Sequence, residues 1–319
     1  MIKDQLPANS VLAANRIGEY IRETPLDYSP YFSELTGANV YLKLENLQHT
    51  GSFKLRGAFN KTLSLTPAEK EAGCVTASSG NHGAAIAYAM SALGINGVIF
   101  VPEQTSLTKV NAIKSAGGDV RFFGTDGLDT ENHAREFAEA NDMTYLSPYN
   151  DADVIAGQGT CGVEIARQLS AVDAVFIAVG GGGLISGVGT FLKSVNPATT
   201  VVSCQPAASA VMTESVKAGE IVDIPSDKTL SDGTAGGIEA GAITFDLCRD
   251  LVDDYQVVSE EQIADAMCKF IDSHHMLPEG AAGVALAGLL ASAEQYQGQN
   301  VVVIVCGGNI SRDTLKKVI

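Results

Sequence analysis

Basic side chains are scarce in this chain: 21 lysines and arginines stand against 37 aspartates and glutamates, a formal net charge of −16. Such a surface repels phosphate backbones and anionic lipid, so neither nucleic acid nor membrane is an expected partner. The six cysteines, at 74, 161, 204, 248, 268 and 306, form no Cys-x-x-Cys pair. Neither a disulfide framework nor a zinc knuckle is implied, and a reducing cytoplasm is expected. No run reaches membrane-spanning length free of charge or turn residues, and Met1–Gln5 carries no apolar signal core. Repeats, low-complexity tracts and flexible linkers are missing too. The histidines at 49, 82, 133, 274 and 275 lack metal-ligand spacing, and His274-His275 reads as a helix end.

What is present suits a well-packed enzyme. The 319 residues are 45% apolar and 18% charged, enough to bury a large core and form two lobes. Val40–Leu44, Cys74–Ala77, Val98–Val101, Val120–Phe123, Ala174–Val179, Val201–Cys204 and Val301–Val305 read as buried strands. Between them Ala84–Leu93, Leu107–Ala116, Thr130–Ala140, Val154–Leu169 and Gln262–His274 read as helices. Apolar strands alternating with helices predict an α/β fold of open parallel sheets covered on both faces. Thr66-Pro67-Ala68-Glu69 and Ser259-Glu260-Glu261-Gln262 have the form of capping boxes and mark helix starts.

Three polar or glycine loops follow strands: Ser78–Gly83, Gly180–Gly183 and Cys306–Asn309. Ligands of open α/β sheets bind at the carboxyl ends of strands, so these loops can converge on one cleft. The glycines at 180, 181, 182 and 183 let backbone amides approach an anion at a helix N-terminus, a phosphate cradle. A dinucleotide fingerprint is not met, because Ile185 or Ser186 falls where its third glycine belongs, and no Walker lysine follows. The cradle suits one phosphate monoester. Lys54, in Ser52-Phe53-Lys54-Leu55-Arg56-Gly57, stands between an aromatic ring and a small-residue turn. A lysine held in an apolar setting loses basicity and becomes an amine nucleophile able to form a Schiff base. That lysine, the cradle and the amide of Asn81 together match the needs of pyridoxal 5′-phosphate (PLP).

These motifs resemble the serine/threonine dehydratase and serine racemase family, fold-type II PLP enzymes related to tryptophan synthase β. The likeness runs in order through Gly51–Gly57, Ser78–Gly83, Val154–Thr160, Val179–Gly183, Ser231–Gly233, Leu251–Asp254, Glu279–Gly283 and Cys306–Asn309. The lysine and asparagine motifs of cysteine synthases read differently. By this resemblance Lys54 holds the PLP aldehyde and, once displaced by substrate, removes the Cα proton. Phe53 lies against the cofactor ring and Asn81 bonds its hydroxyl. Gly180, Gly181, Gly182, Gly183 and Leu184 receive the phosphate. Ser78, Ser79, Gly80, Asn81 and His82 hold the substrate carboxylate through backbone amides, in agreement with the helix dipole. Ser79 stands opposite Lys54, Gly233 borders the substrate, and Glu279 lies near the cofactor. Cys306 occupies the place beside the pyridine nitrogen, where a neutral group leaves the ring a weaker electron sink. Metal-activated relatives carry acidic residues after the strand that follows the glycine loop. Here Gln205–Val211 has no carboxylate, so no metal ligand is assigned, while a monovalent ion held by carbonyls stays open.

The resemblance implies two lobes, a large one of residues 1–72 and 149–319 and a small mobile one of residues 73–148, with PLP between them. It implies an L-threonine/L-serine ammonia-lyase whose substrate is a β-hydroxy amino acid, with the cofactor phosphate protonating the leaving hydroxyl, and a homodimer. The chain ends soon after its last motif, which leaves no room for a regulatory domain and points to a catabolic role. Amino-acid racemisation is the nearest rival, since Ser79 could supply a second acid/base. Dehydration of 3-hydroxyaspartate or phenylserine also stays open. A PLP-binding protein without turnover would be yellow yet release no keto acid.

Overall fold

The computed structural model describes residues 2–319. In chain order its strands are β1 (Leu26–Tyr28), β2 (Asn39–Leu44), β3 (Cys74–Ala77), β4 (Gly97–Val101), β5 (Asp119–Phe122), β6 (Thr144–Tyr145), β7 (Ala174–Ala178), β8 (Thr200–Pro206), β9 (Asp254–Val258) and β10 (Asn300–Val305). They form a six-stranded sheet of order β1-β2-β10-β7-β8-β9 and a four-stranded sheet of order β5-β4-β3-β6. All neighbours are parallel except β1 and β2. The smaller sheet uses one continuous stretch of chain. The larger draws on both sides of it, with β10 inserted between β2 and β7.

The expected α/β class is therefore present, and the apolar strands sit where the pattern puts them. Val301–Val305 of β10 are fully buried, each side chain worth about 1.5–3 kcal/mol of hydrophobic stabilisation. The helix Gly280–Ser292 lies across β7, β8, β9 and β10. Its glycines permit the approach: a Cβ on Gly288 would lie 2.5 Å from Cys204 Sγ. Both capping boxes form, at the helices Pro67–Ala72 and Glu260–His274. His275 is the left-handed C-cap of the second, with φ 55°, and His274 stacks on Phe270.

One expected buried strand is not buried. β5 is the open edge of the smaller sheet, and Phe122 is 48% exposed. Position in a sheet depends on strand order, which local apolarity does not encode. No helix among the described residues is long and apolar enough to cross a membrane.

Candidate active site

The carboxyl ends of the parallel strands β2, β7, β8 and β10 share one edge of the larger sheet. A cleft of about 2240 Å³ opens there, lined also by the loop that follows β3. Small-molecule pockets usually measure about 300–1,000 Å³, so cofactor and substrate both have room.

Lys54 opens the helix Lys54–Ser64, with Phe53 at its N-cap. Phe53 is fixed by its own N–H, which donates to Cys306 O at 3.0 Å, so the end of β10 sets the start of this helix. Lys54 Nζ donates to Pro148 O at 2.8 Å and lies 5.3 Å from the Phe53 ring centroid. Burial pushes this amine down to about 8, against the opposing pull of nearby Cys306 and Glu279. A larger share of it is then neutral at physiological pH than for an ordinary lysine.

The glycine loop follows β7 and opens the helix Gly183–Val195, with Gly182 as N-cap at φ 85°. A Cβ on Gly181 would meet the Tyr149 ring at 2.3 Å, so no side chain can occupy the loop at that point. Gly180, Gly181, Gly182, Gly183 and Leu184 all line the cleft.

Asn81 begins the helix Asn81–Leu93, whose N-cap, Gly80, offers no side-chain cap. Its amide is held on both sides. Nδ2 donates to both carboxylate oxygens of Glu279 at 2.9 Å, and Oδ1 accepts from Asn309 Nδ2 at 2.8 Å. Glu279 is the N-cap of the helix Gly280–Ser292, yet its side chain does not cap that helix. It turns to Asn81 instead, and Asn309 N–H also donates to it, at 3.3 Å. Desolvation raises the Glu279 carboxyl to about 7, with the Asn81 hydrogen bonds opposing that rise. Cys306 Sγ lies 3.9 Å from Glu279 Oε1. Burial and that carboxylate hold the Cys306 thiol well above its usual range, so it stays neutral.

Ser78 Oγ accepts from Gly80 N–H at 3.2 Å, while Ser79 lines the cleft. The His82 ring is buried and faces Leu146 O at 3.1 Å, and burial holds it down to about 3. The His82 ring therefore brings no charge to the cleft at neutral pH. Gly233 borders the cleft beside Glu279, whose Oε1 would lie 3.9 Å from a Cβ there.

A covalently competent amine, a side-chain-free anion cradle and an amide loop thus face one cavity. Residues 17–307 match the family described as pyridoxal-phosphate dependent enzymes. The chain belongs to this family. It is 39% identical over 308 residues to the catabolic L-threonine dehydratase of Escherichia coli strain K12, covering 96% of this chain and 93% of that one. Its fold is similar to processed threonine deaminase isoform 2 of Solanum lycopersicum, with a TM-score of 0.94, 37% identity and coverage of 99% and 92%. Maize serine racemase gives a TM-score of 0.92 at 31% identity, covering 98% and 95%. Family, fold-type II architecture and cofactor are as the motifs led one to expect.

The residues present fit the cofactor. Lys54 supplies the amine, Gly180, Gly181, Gly182 and Gly183 give the cleft a wall of backbone without side chains, and Cys306 adds no charge. What the sequence did not disclose lies beneath this PLP enzyme's lysine. Arg56, fully buried, donates to Glu45 through Nε and Nη2 at 2.8 and 2.7 Å. It also donates to Glu164 through Nη1 and Nη2 at 2.6 and 2.7 Å. Lys43 Nζ completes the group at 2.6 Å from Glu164 Oε2. The only available signal was Lys43 and Glu45 flanking Leu44 at the end of an apolar strand.

Proposed function

We propose that this enzyme is an L-threonine/L-serine ammonia-lyase, giving ammonia with 2-oxobutanoate from threonine or pyruvate from serine. The observation that carries this reading is Lys54, an amine at about 8 that donates to an uncharged carbonyl in a cleft shared with the glycine loop. Bound PLP supplies the electron sink that makes the substrate α-proton removable. Lys54 would anchor the cofactor and would take up that proton at Nζ, which the Pro148 carbonyl holds at the cleft wall. Uncapped N–H groups at the start of the helix Asn81–Leu93 hold the substrate carboxylate. Cys306 would offer the cofactor a neutral thiol rather than a carboxylate, which would leave it a weaker electron sink.

Charge in the cleft supports a neutral substrate side chain. Besides Lys54, the lysines and arginines lining it are Lys109 and Arg135, and both are engaged. Lys109 pairs with Asp232 at 2.9 Å, and Arg135 with Glu131 and Glu239 at 2.8 and 2.5 Å. With Glu131, Asp232, Glu239 and Glu279 all lining the space, a second substrate carboxylate meets like charge. Threonine and serine are favoured over 3-hydroxyaspartate on this ground. The two lobes, residues 1–72 with 149–319 and residues 73–148, close over substrate and exclude water. Scattered free cysteines support a cytoplasmic setting, and family resemblance supports a homodimer with a catabolic role.

The test is keto-acid release by the PLP-loaded protein from L-threonine, L-serine, D-serine and threo-3-hydroxyaspartate, with Lys54→Ala in parallel. Lysine-dependent 2-oxobutanoate from L-threonine is expected. Silence with all four would overturn the reading. Interconversion of serine enantiomers without keto acid would replace it with racemisation.

A further inference from the structure

Gln205 repairs two deficits at once, and both lie behind the glycine loop. The parallel ladder of β7 and β8 aligns Ala178 with Cys204, and Val179 N–H donates to Cys204 O at 2.9 Å. In a parallel ladder the Val179 carbonyl would next accept from the N–H of residue 206. That residue is Pro206, which has none. The Gln205 side chain supplies the missing donor: its Nε2 reaches Val179 O at 3.1 Å. On its other side, the helix Val211–Ala218 begins at Ala210, which has no side chain able to cap it. Gln205 Oε1 accepts there from Thr213 N–H at 2.8 Å and Thr213 Oγ1 at 2.7 Å. The side chain is 1% exposed, and only one orientation of its amide satisfies both neighbours.

Val179 immediately precedes Gly180. We infer that Gln205 is a positioning residue for the phosphate cradle, fixing the last carbonyl of β7 so that the Gly180–Gly183 amides face the cleft. Ending the backbone ladder at Pro206 frees the loop to turn away from the sheet, and a side-chain amide then pins the point of departure. The site needs a side chain that both donates and accepts. A carboxylate could accept from Thr213 but would oppose the Val179 carbonyl with a second acceptor, and an apolar side chain would leave three buried polar atoms unpaired.

This inference rests on the reading that the glycine loop binds the cofactor phosphate, and the test separates the two. Apo-protein is titrated with PLP and with pyridoxal, which lacks the phosphate, following the visible absorbance of the bound aldehyde. Wild type, Gln205→Glu and Gln205→Met are compared, with unfolding midpoints measured alongside. Wild type should prefer PLP strongly, and both variants should lose roughly tenfold in that preference, the factor a hydrogen bond of ordinary net strength represents, while pyridoxal affinity holds. Relative to wild type at each pH, acidification should restore the preference of Gln205→Glu, because a protonated carboxyl regains a donor for Val179. If Gln205→Met fails to fold, this pH-dependent recovery decides alone. An unchanged preference, or equal weakening toward both aldehydes, overturns the inference about Gln205. A wild type that holds pyridoxal as tightly as PLP overturns the cradle reading itself.

Discussion

Lys54 and Arg56 are two residues apart on one helix, and their surroundings treat charge in opposite ways. Burial alone would lower the guanidinium of Arg56, but Glu45 and Glu164 hold it well above its ordinary value. Two cations, Lys43 and Arg56, face two carboxylates, Glu45 and Glu164, so the group is neutral as a whole. Lys54 has burial with no carboxylate bonded to it, and the pull of nearby Cys306 and Glu279 only partly offsets that burial. Its hydrogen-bond acceptor is the uncharged Pro148 carbonyl, and its amine is lowered to about 8. The comparison shows that a buried cation is either pinned or made reactive according to whether a carboxylate reaches it. One turn of helix holds both cases, and the pinned charge supports the reactive one.

Removing each side chain should therefore damage different properties. Lys54→Met should cut turnover by at least roughly 10²–10⁴-fold, the share of a general base, and abolish covalent cofactor binding. Its unfolding free energy should not fall, a point checked by denaturant titration of the apo-protein. Arg56→Met should destabilise by about 3–5 kcal/mol, because it strands the buried carboxylate of Glu45 and leaves Glu164 to Lys43 alone. Arg56→Lys should not rescue it, since an ammonium cannot span Glu45 and Glu164 with paired bonds. Gly181→Ala places a Cβ against Tyr149, and overpacking of that kind costs about 1–3 kcal/mol; PLP affinity should fall with it.

The pH dependence sharpens the contrast further. Lys54 titrates at about 8 when folded against a usual 10.5. Between these values the unfolded chain binds more protons, so apo-protein stability rises with pH across that window. Glu279 runs the other way: folded at about 7 against a usual 4.5, it binds more protons when folded, so its contribution declines as pH rises from 4.5 to 7. Lys54→Met should erase the alkaline rise and Glu279→Gln the acidic decline, both read from unfolding midpoints across pH. The smallest effect belongs to the exposed pair of Arg167 with Glu23, where removing either partner should change stability by about 0–1 kcal/mol.

The catalytic face of this comparison was legible in the sequence, and the supporting face was not. Glycine runs, the lysine turn and the asparagine loop follow apolar strands, so each could be placed by local pattern alone. β1 and β6 are too short to show a period, and β9 begins Asp-Tyr-Gln, half polar because it lies at a sheet edge. Glu164 lies 108 positions from Arg56 along the chain, and no local rule links them. Gln205 posed a similar problem. Its amide reads as an ordinary polar side chain until strand register shows which N–H Pro206 withholds.

The position of β10 bears on how the chain comes to be folded during synthesis. The four strands of the smaller sheet all emerge by Tyr145, so that sheet can close early. The larger sheet cannot, because the strand that joins β2 to β7 is the last one translated. Until then β2 and β7 wait with open edges, a state prone to wrong pairing. A ribosome stalled before Asn300 should carry a protease-resistant smaller sheet beside an unfinished larger one, and Lys54 would gain its setting only when Cys306 arrives to fix Phe53.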